Sequence, residues 1–161
     1  MKEYTTRLAR VCSVLNAERA KYLLVGAAAM QLWGTTRATR DVDILIETTV
    51  ANARRVLRAL SRLGLAFARE LLAEEIVKRP VTVIGDMPNV DILTVAWSVR
   101  YAEARPDATE FEVEGVRIPT ISIEHLIASK QTGRLQDAAD VEVLEEIRRL
   151  RGGDDAHSAS R

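Results

Sequence analysis

The chain has 161 residues, 47% hydrophobic and 29% charged, with 23 basic residues against 23 acidic ones and a single cysteine, Cys12. This balance fits one soluble globular domain that buries a sizeable core without staples, and a lone cysteine excludes an intramolecular disulfide. Zero net charge excludes a global field that gathers nucleic acid; with no apolar leader core and no stretch long enough to span a membrane, a cytoplasmic protein is expected.

In chain order, Tyr4, Leu8, Val11 and Leu15 fall at helical spacing and predict an amphipathic helix over 3–19. Tyr22 to Val25 is a short apolar run ending at Gly26, which predicts a buried strand and a tight turn. Ala27 to Trp33 is rich in helix formers and Gly34 stops it. After a polar loop carrying Arg37 and Arg40, DVDILIE predicts a strand over 41–47. Val56, Leu57, Leu60 and Leu63 predict a helix over 50–63, ended by Gly64.

The segment 66–78 reads as either helix or strand. Two apolar runs, 81–85 and 90–96, predict strands joined by a turn at Pro88 and Asn89. A helix is expected over 97–105, stopped by Pro106. Two short strands, 110–113 and 116–118, flank a hairpin turn at Glu114 and Gly115. Ser122 is a good N-cap for a helix to about residue 132, and Gly133 breaks it. A last helix is expected over 136–150. The small, polar stretch 152–161 is expected to be a disordered tail, leaving one domain over 1–151. Strands alternating with helices predict an α/β (α+β) fold with a mixed sheet flanked by helices.

Side chains alternate across a strand, so Asp41 and Asp43 share one face while Val42, Ile44 and Ile46 face the core. Two carboxylates one pleat apart repel, and solvent, arginine or a metal ion must offset them. A hard cation takes carboxylate and phosphate oxygens. Gly26 opens a helix whose N-terminal N–H groups suit phosphate oxygens. Asp91 begins a second acidic-then-apolar strand and would supply a third carboxylate. Arg37 and Arg40 flank the acidic strand, where they can neutralise the pair or contact phosphates.

The segment LVGAAAMQLWGTTRATRDVDILIE resembles the signature of nucleotidyltransferases of the DNA polymerase β superfamily. These carry a Gly-Ser or Gly-Gly turn before a helix, an Asp-x-Asp strand and a third acidic strand. The likeness is nearest to AbiEii-type toxins and related minimal nucleotidyltransferases. Their glycine turn, glycine, and Arg-x-Thr-x-Asp-x-Asp appear here as Gly26, Gly34, Arg37, Thr39, Asp41 and Asp43. It covers about Tyr22 to Leu150. The resemblance implies Mg²⁺- or Mn²⁺-dependent transfer of an NMP from an NTP to a hydroxyl of tRNA, protein or a small molecule. It also implies a cognate toxin or antitoxin partner. By resemblance Asp41, Asp43 and Asp91 are the catalytic metal ligands, and Gly26, Ala27, Arg37, Thr39 and Lys130 hold the nucleotide. Asp137 and Asp140 would anchor Lys130 or Arg134. The departure is Ala27, where the superfamily has serine or glycine. It leaves open a non-catalytic nucleotide-binding or partner-binding module.

The other residues read as ordinary structure. His125 reads as helix surface or packing, with no zinc-type cluster in a chain of two histidines and one cysteine. Trp33 and Trp97 follow apolar runs and read as packing residues rather than base platforms.

Overall fold

The computed structural model describes residues 6–36, 38–64, 66–85 and 89–158, with the backbone alone at 66, 67 and 153–158. The first helix, α1 (Arg7–Ala17), is capped by Thr6, whose hydroxyl accepts from the Ala9 N–H, and it buries Val11, Cys12 and Leu15. Strand β1 (Tyr22–Val25) is buried at every position, which is why it reads as a continuous apolar run. Helix α2 (Gly26–Trp33) follows with no loop between, and Gly34 ends it in the left-handed conformation. Strand β2 (Asp41–Ile46) leads to α3 (Val50–Ser61), capped by the Thr49 hydroxyl.

The ambiguous segment resolves into two short helices, α4 (Ala66–Glu70) and α5 (Ala73–Ile76). Strands β3 (Val81–Ile84) and β4 (Asn89–Leu93) come next. The helix expected from Trp97 is shorter: α6 (Tyr101–Ala104) with a 3-10 turn over Arg105–Asp107. Residues 96–99 instead form a tight turn, with Trp97 at a φ of 57°. Strands β5 (Thr109–Val113) and β6 (Val116–Thr120) make the expected hairpin. Glu114 and Gly115 both have positive φ, 52° and 78°, as a two-residue turn matching strand twist requires. Ser122 caps α7 (Ile123–Ala128) by accepting from the His125 N–H. The last helix, α8, runs Leu135–Ser158, past Leu150, where the sequence pattern ends it.

Among the described residues the strands form one six-stranded mixed sheet in the order β3-β4-β2-β1-β6-β5, flanked by helices. β2 runs parallel to β4 and antiparallel to β1. The start of β2, the start of β4 and the end of β1 therefore meet at one end of the sheet. Val42, Ile44, Val90 and Ile92 are at most 2% exposed and fix the register of the two parallel strands. Each buried side chain of this kind contributes about 1.5–3 kcal/mol. Asn52 ties α3 to the far end of β1 and β2: its amide accepts from the Lys21 N–H and donates to the Lys21 and Glu47 carbonyls. No helix among the described residues is long and apolar enough to cross a membrane.

Candidate active site

Asp43 and Asp91 are direct partners across the parallel pair, and Asp41 is opposite Asn89 one pleat away. In-register partners point to the same side, so β2 and β4 hold two carboxylates against each other on one face. The pair is partly buried. The Oδ1 atoms of both Asp43 and Asp91 are buried without a hydrogen-bond partner. The third carboxylate differs: Asp41 is exposed, and its Oδ1 accepts from the Asn89 side chain at 2.9 Å.

Gly26 forms the wall beside Asp43. Its φ is +67°, and a Cβ there would overlap the Asp43 carboxylate, 3.1 Å from Cγ and 3.2 Å from Cβ. Only glycine lets the helix start this close to the acid. Val25, at the N-cap of α2, makes no side-chain capping bond, so the first turn, with Ala27, offers backbone donors at the site.

Electrostatics follow from this packing. Asp43 is pushed up to about 7, first by burial, then by the Asp91 and Asp41 charges, with Lys130 pulling it back. Asp91 is also raised, with burial again the largest cause. Each orphaned carboxylate oxygen makes the charged form costly without a cation.

Lys130 shares a cavity of about 330 Å³ with Gly26 and Asp43. Its side chain is mostly buried, and its ammonium lies 2.9 Å from Asp140 Oδ2 and 3.6 Å from Asp137 Oδ1. Asp137 and Asp140 of α8 thus anchor it, and Gln136 supports Asp140 at 3.1 Å. Two carboxylates already answer its single charge, so it offsets the Asp43 charge only in part.

Other expected residues are placed differently. The Thr39 hydroxyl accepts from the Asp41 N–H at 3.2 Å, which fixes the entry into β2. Thr39, Arg40 and Asp41 line a separate, mostly apolar cavity of about 390 Å³ with Ala28, Leu32 and Val113. Arg37 lies outside the described residues. His125 is partly buried beside Ser122. Trp33 is buried, as its sequence context suggests, with its indole N–H on the Ile121 carbonyl. Trp97 is not: it is 59% exposed and lines the Asp43–Lys130 cavity. Neither its role there nor that of Asn89 is evident from residue spacing.

A larger cavity, about 550 Å³, lies between α3 and α4–α5, lined by Arg54, Arg58 and Arg69 among others. It lacks the carboxylate pair and is remote from this chemistry. Among the described residues no three or more His, Cys, Asp or Glu side chains are gathered to hold a metal ion by themselves. The fit to a hard cation is therefore partial: two buried, orphaned oxygens on Asp43 and Asp91 are suitable donors, and further oxygens must come from elsewhere. Mg²⁺ commonly binds this way, through one or two carboxylates plus substrate phosphates.

No family model and no curated protein matches the chain. A solved structure similar to it is that of an antigenic nucleotidyltransferase-like protein from Paracoccidioides brasiliensis. The two share 16% identity at a TM-score of 0.55, over 89% of this chain and 74% of that one. This likeness shows that the chain shares the fold of that protein.

Proposed function

We propose that this chain is a metal-dependent nucleotidyltransferase that moves an NMP from an NTP to an acceptor hydroxyl. The observation that carries the reading is the in-register Asp43–Asp91 pair, with a buried oxygen on each acid left without a partner. Like charges on register partners are costly, and a bound cation would offset that cost. Asp43 and Asp91 would hold Mg²⁺ or Mn²⁺ with phosphate oxygens of the NTP, Asp41 adding its charge from one pleat away, and the cation would supply charge stabilisation and make the acceptor hydroxyl more acidic.

The chain's own residues then divide the work. Gly26 lets the triphosphate approach the start of α2, and the Ala27 N–H donates to a phosphate oxygen. Lys130, held by Asp137 and Asp140, presents its ammonium to the same cavity. Asp91 faces the incoming hydroxyl and receives its proton as the oxygen attacks the α-phosphorus in line and pyrophosphate leaves. Such a site works mainly by positioning and charge stabilisation. The acceptor belongs to a tRNA end, a protein or a small molecule, and a toxin–antitoxin setting suits this proposal.

A non-catalytic nucleotide-binding module is the second reading. Ala27 favours it, because a methyl group replaces the hydroxyl that a serine would offer to phosphate. Incubating radiolabelled NTP with total tRNA and with cell protein separates the two: label transfer supports catalysis, and binding alone supports the module.

The binding claim is tested by thermal shift with Mg²⁺ or Mn²⁺ and each NTP. A metal-dependent rise in Tm is expected with at least one NTP. Asp43→Asn is expected to abolish it while the variant stays folded in EDTA. No shift with any NTP would sink the proposal.

A further inference from the structure

Trp97 stands at the tip of a two-residue turn. The Ala96 N–H donates to the Val99 carbonyl at 2.8 Å, and the Val99 N–H donates back at 3.0 Å. With φ at 57° it adopts a conformation that a bulky L residue rarely holds, and the residue is 59% exposed. Core packing does not explain an indole left mostly in solvent. Turn chemistry does not explain it either, since glycine is the residue that such a turn favours. Local strain of this kind is commonly retained where a side chain is presented to a ligand.

What surrounds Trp97 says which ligand. Val81, 44% exposed, sits with Leu93 and Ala96 beside the indole in the cavity that reaches Asp43, Gly26 and Lys130. The lining of that cavity combines ionic groups, Asp43 and Lys130, suited to cation and phosphate, with aromatic and aliphatic surface from Trp97, Val81 and Leu93. A molecule that is anionic at one end and a flat ring at the other matches both.

Resting on the metal–nucleotide reading above, we infer that Trp97 is the platform on which the NTP's nucleobase stacks, with Val81 and Leu93 beside the ring. Stacking is tolerant of base identity, because every base offers a π-face. Discrimination among NTPs by this platform is therefore weak, and purines bind better than pyrimidines through their larger rings.

The test compares Mn²⁺–ATP and Mn²⁺–UTP with Mn²⁺–tripolyphosphate, which keeps the ionic end and has no base. Trp33 is buried, so emission lost in Trp97→Phe identifies the Trp97 signal. Nucleotides should quench that signal and tripolyphosphate should not. Trp97→Ala should weaken nucleotide binding roughly 5- to 150-fold and leave tripolyphosphate affinity unchanged, and Trp97→Phe should restore most of the loss. Trp97→Gly relaxes the positive φ, so it should melt no lower than the native chain while losing base binding. A purely structural tryptophan would not separate stability from affinity in that way.

Equal weakening of tripolyphosphate and nucleotide by Trp97→Ala, or no effect on either, overturns the inference and leaves the metal–phosphate site standing. Quenching by a 5′-hydroxyl oligoribonucleotide but not by ATP also overturns it, by assigning the platform to the acceptor strand. Failure of tripolyphosphate and nucleotide alike to bind overturns the inference together with the reading beneath it.

Discussion

Replacing Gly26 by alanine probes the contact on which the site depends. Two separable costs arise. A left-handed φ of +67° penalises any Cβ, by about 1–2 kcal/mol. The added methyl also falls 3.1 Å from Asp43 Cγ and 3.2 Å from its Cβ, inside ordinary carbon–carbon contact, and overlaps a carboxylate oxygen. Since Val25 and Asp43 are register partners on adjacent strands, neither backbone yields easily. Overpacking of this sort costs about 1–3 kcal/mol. Gly26→Ala should therefore destabilise the chain by about 2–5 kcal/mol in urea denaturation. In an Asp43→Ala background the carboxylate is gone and only the strain and the 3.2 Å contact to the Cβ that alanine keeps remain, so the cost should fall by at least about 1 kcal/mol. The double-mutant cycle should thus return a coupling of at least about 1 kcal/mol. An equal cost in both backgrounds would refute the close approach of glycine and acid.

Two further outcomes follow from the charges. Asp43 is raised from 3.8 to about 7, so between those values the folded chain binds a proton that the unfolded chain has released. Stability of the metal-free protein should fall as pH rises through that window and level off above it, with a ceiling of about 4 kcal/mol. Melting in EDTA from about pH 4 to about pH 8 should show this slope in the native chain and a much flatter one in Asp43→Asn; parallel curves would contradict it. Lys130→Met leaves Asp140, 4% exposed, without its ammonium, and should cost about 3 kcal/mol. Adding Asp140→Leu should recover most of that, and a neutral Lys130→Met would show that the ion pair is not what positions this end of α8.

The readable parts of the chain were those where one local rule decides. The Ser122 cap, the Glu114–Gly115 turn and the apolar strand after Asp41 each act over a few residues, and each lies where the pattern puts it. Segment 66–78 was not readable, because helices of five and four residues have too few turns to establish a period. Trp97 misled for a different reason. VAW continues an apolar run, but the turn closed by Ala96 and Val99 swings the indole out of the sheet. Thr39 was expected at the nucleotide; its hydroxyl accepts from the Asp41 N–H, and it lines the cavity of Asp41 rather than that of Asp43 and Lys130. The spacing Arg-x-Thr-x-Asp-x-Asp names neighbours in sequence, but Thr39 and Asp41 line one cavity and Asp43 another.

The meeting of Asp43 with Asp91 is the least local feature and the most consequential. β3 and three helices intervene between the two strands, so their adjacency depends on a crossover and not on any short motif. Register then has little freedom. A slip of one residue would turn Asp91 toward the face of Val42 and Ile44 and turn Val90 or Ile92 outward. Burial of those four apolar side chains holds the strands in the one alignment that also sets two carboxylates side by side. The repulsion is thus imposed by the core, at some expense to the stability of the empty protein. A cation at the pair relieves what the core imposes, so binding there should stabilise the fold as well as prepare the site.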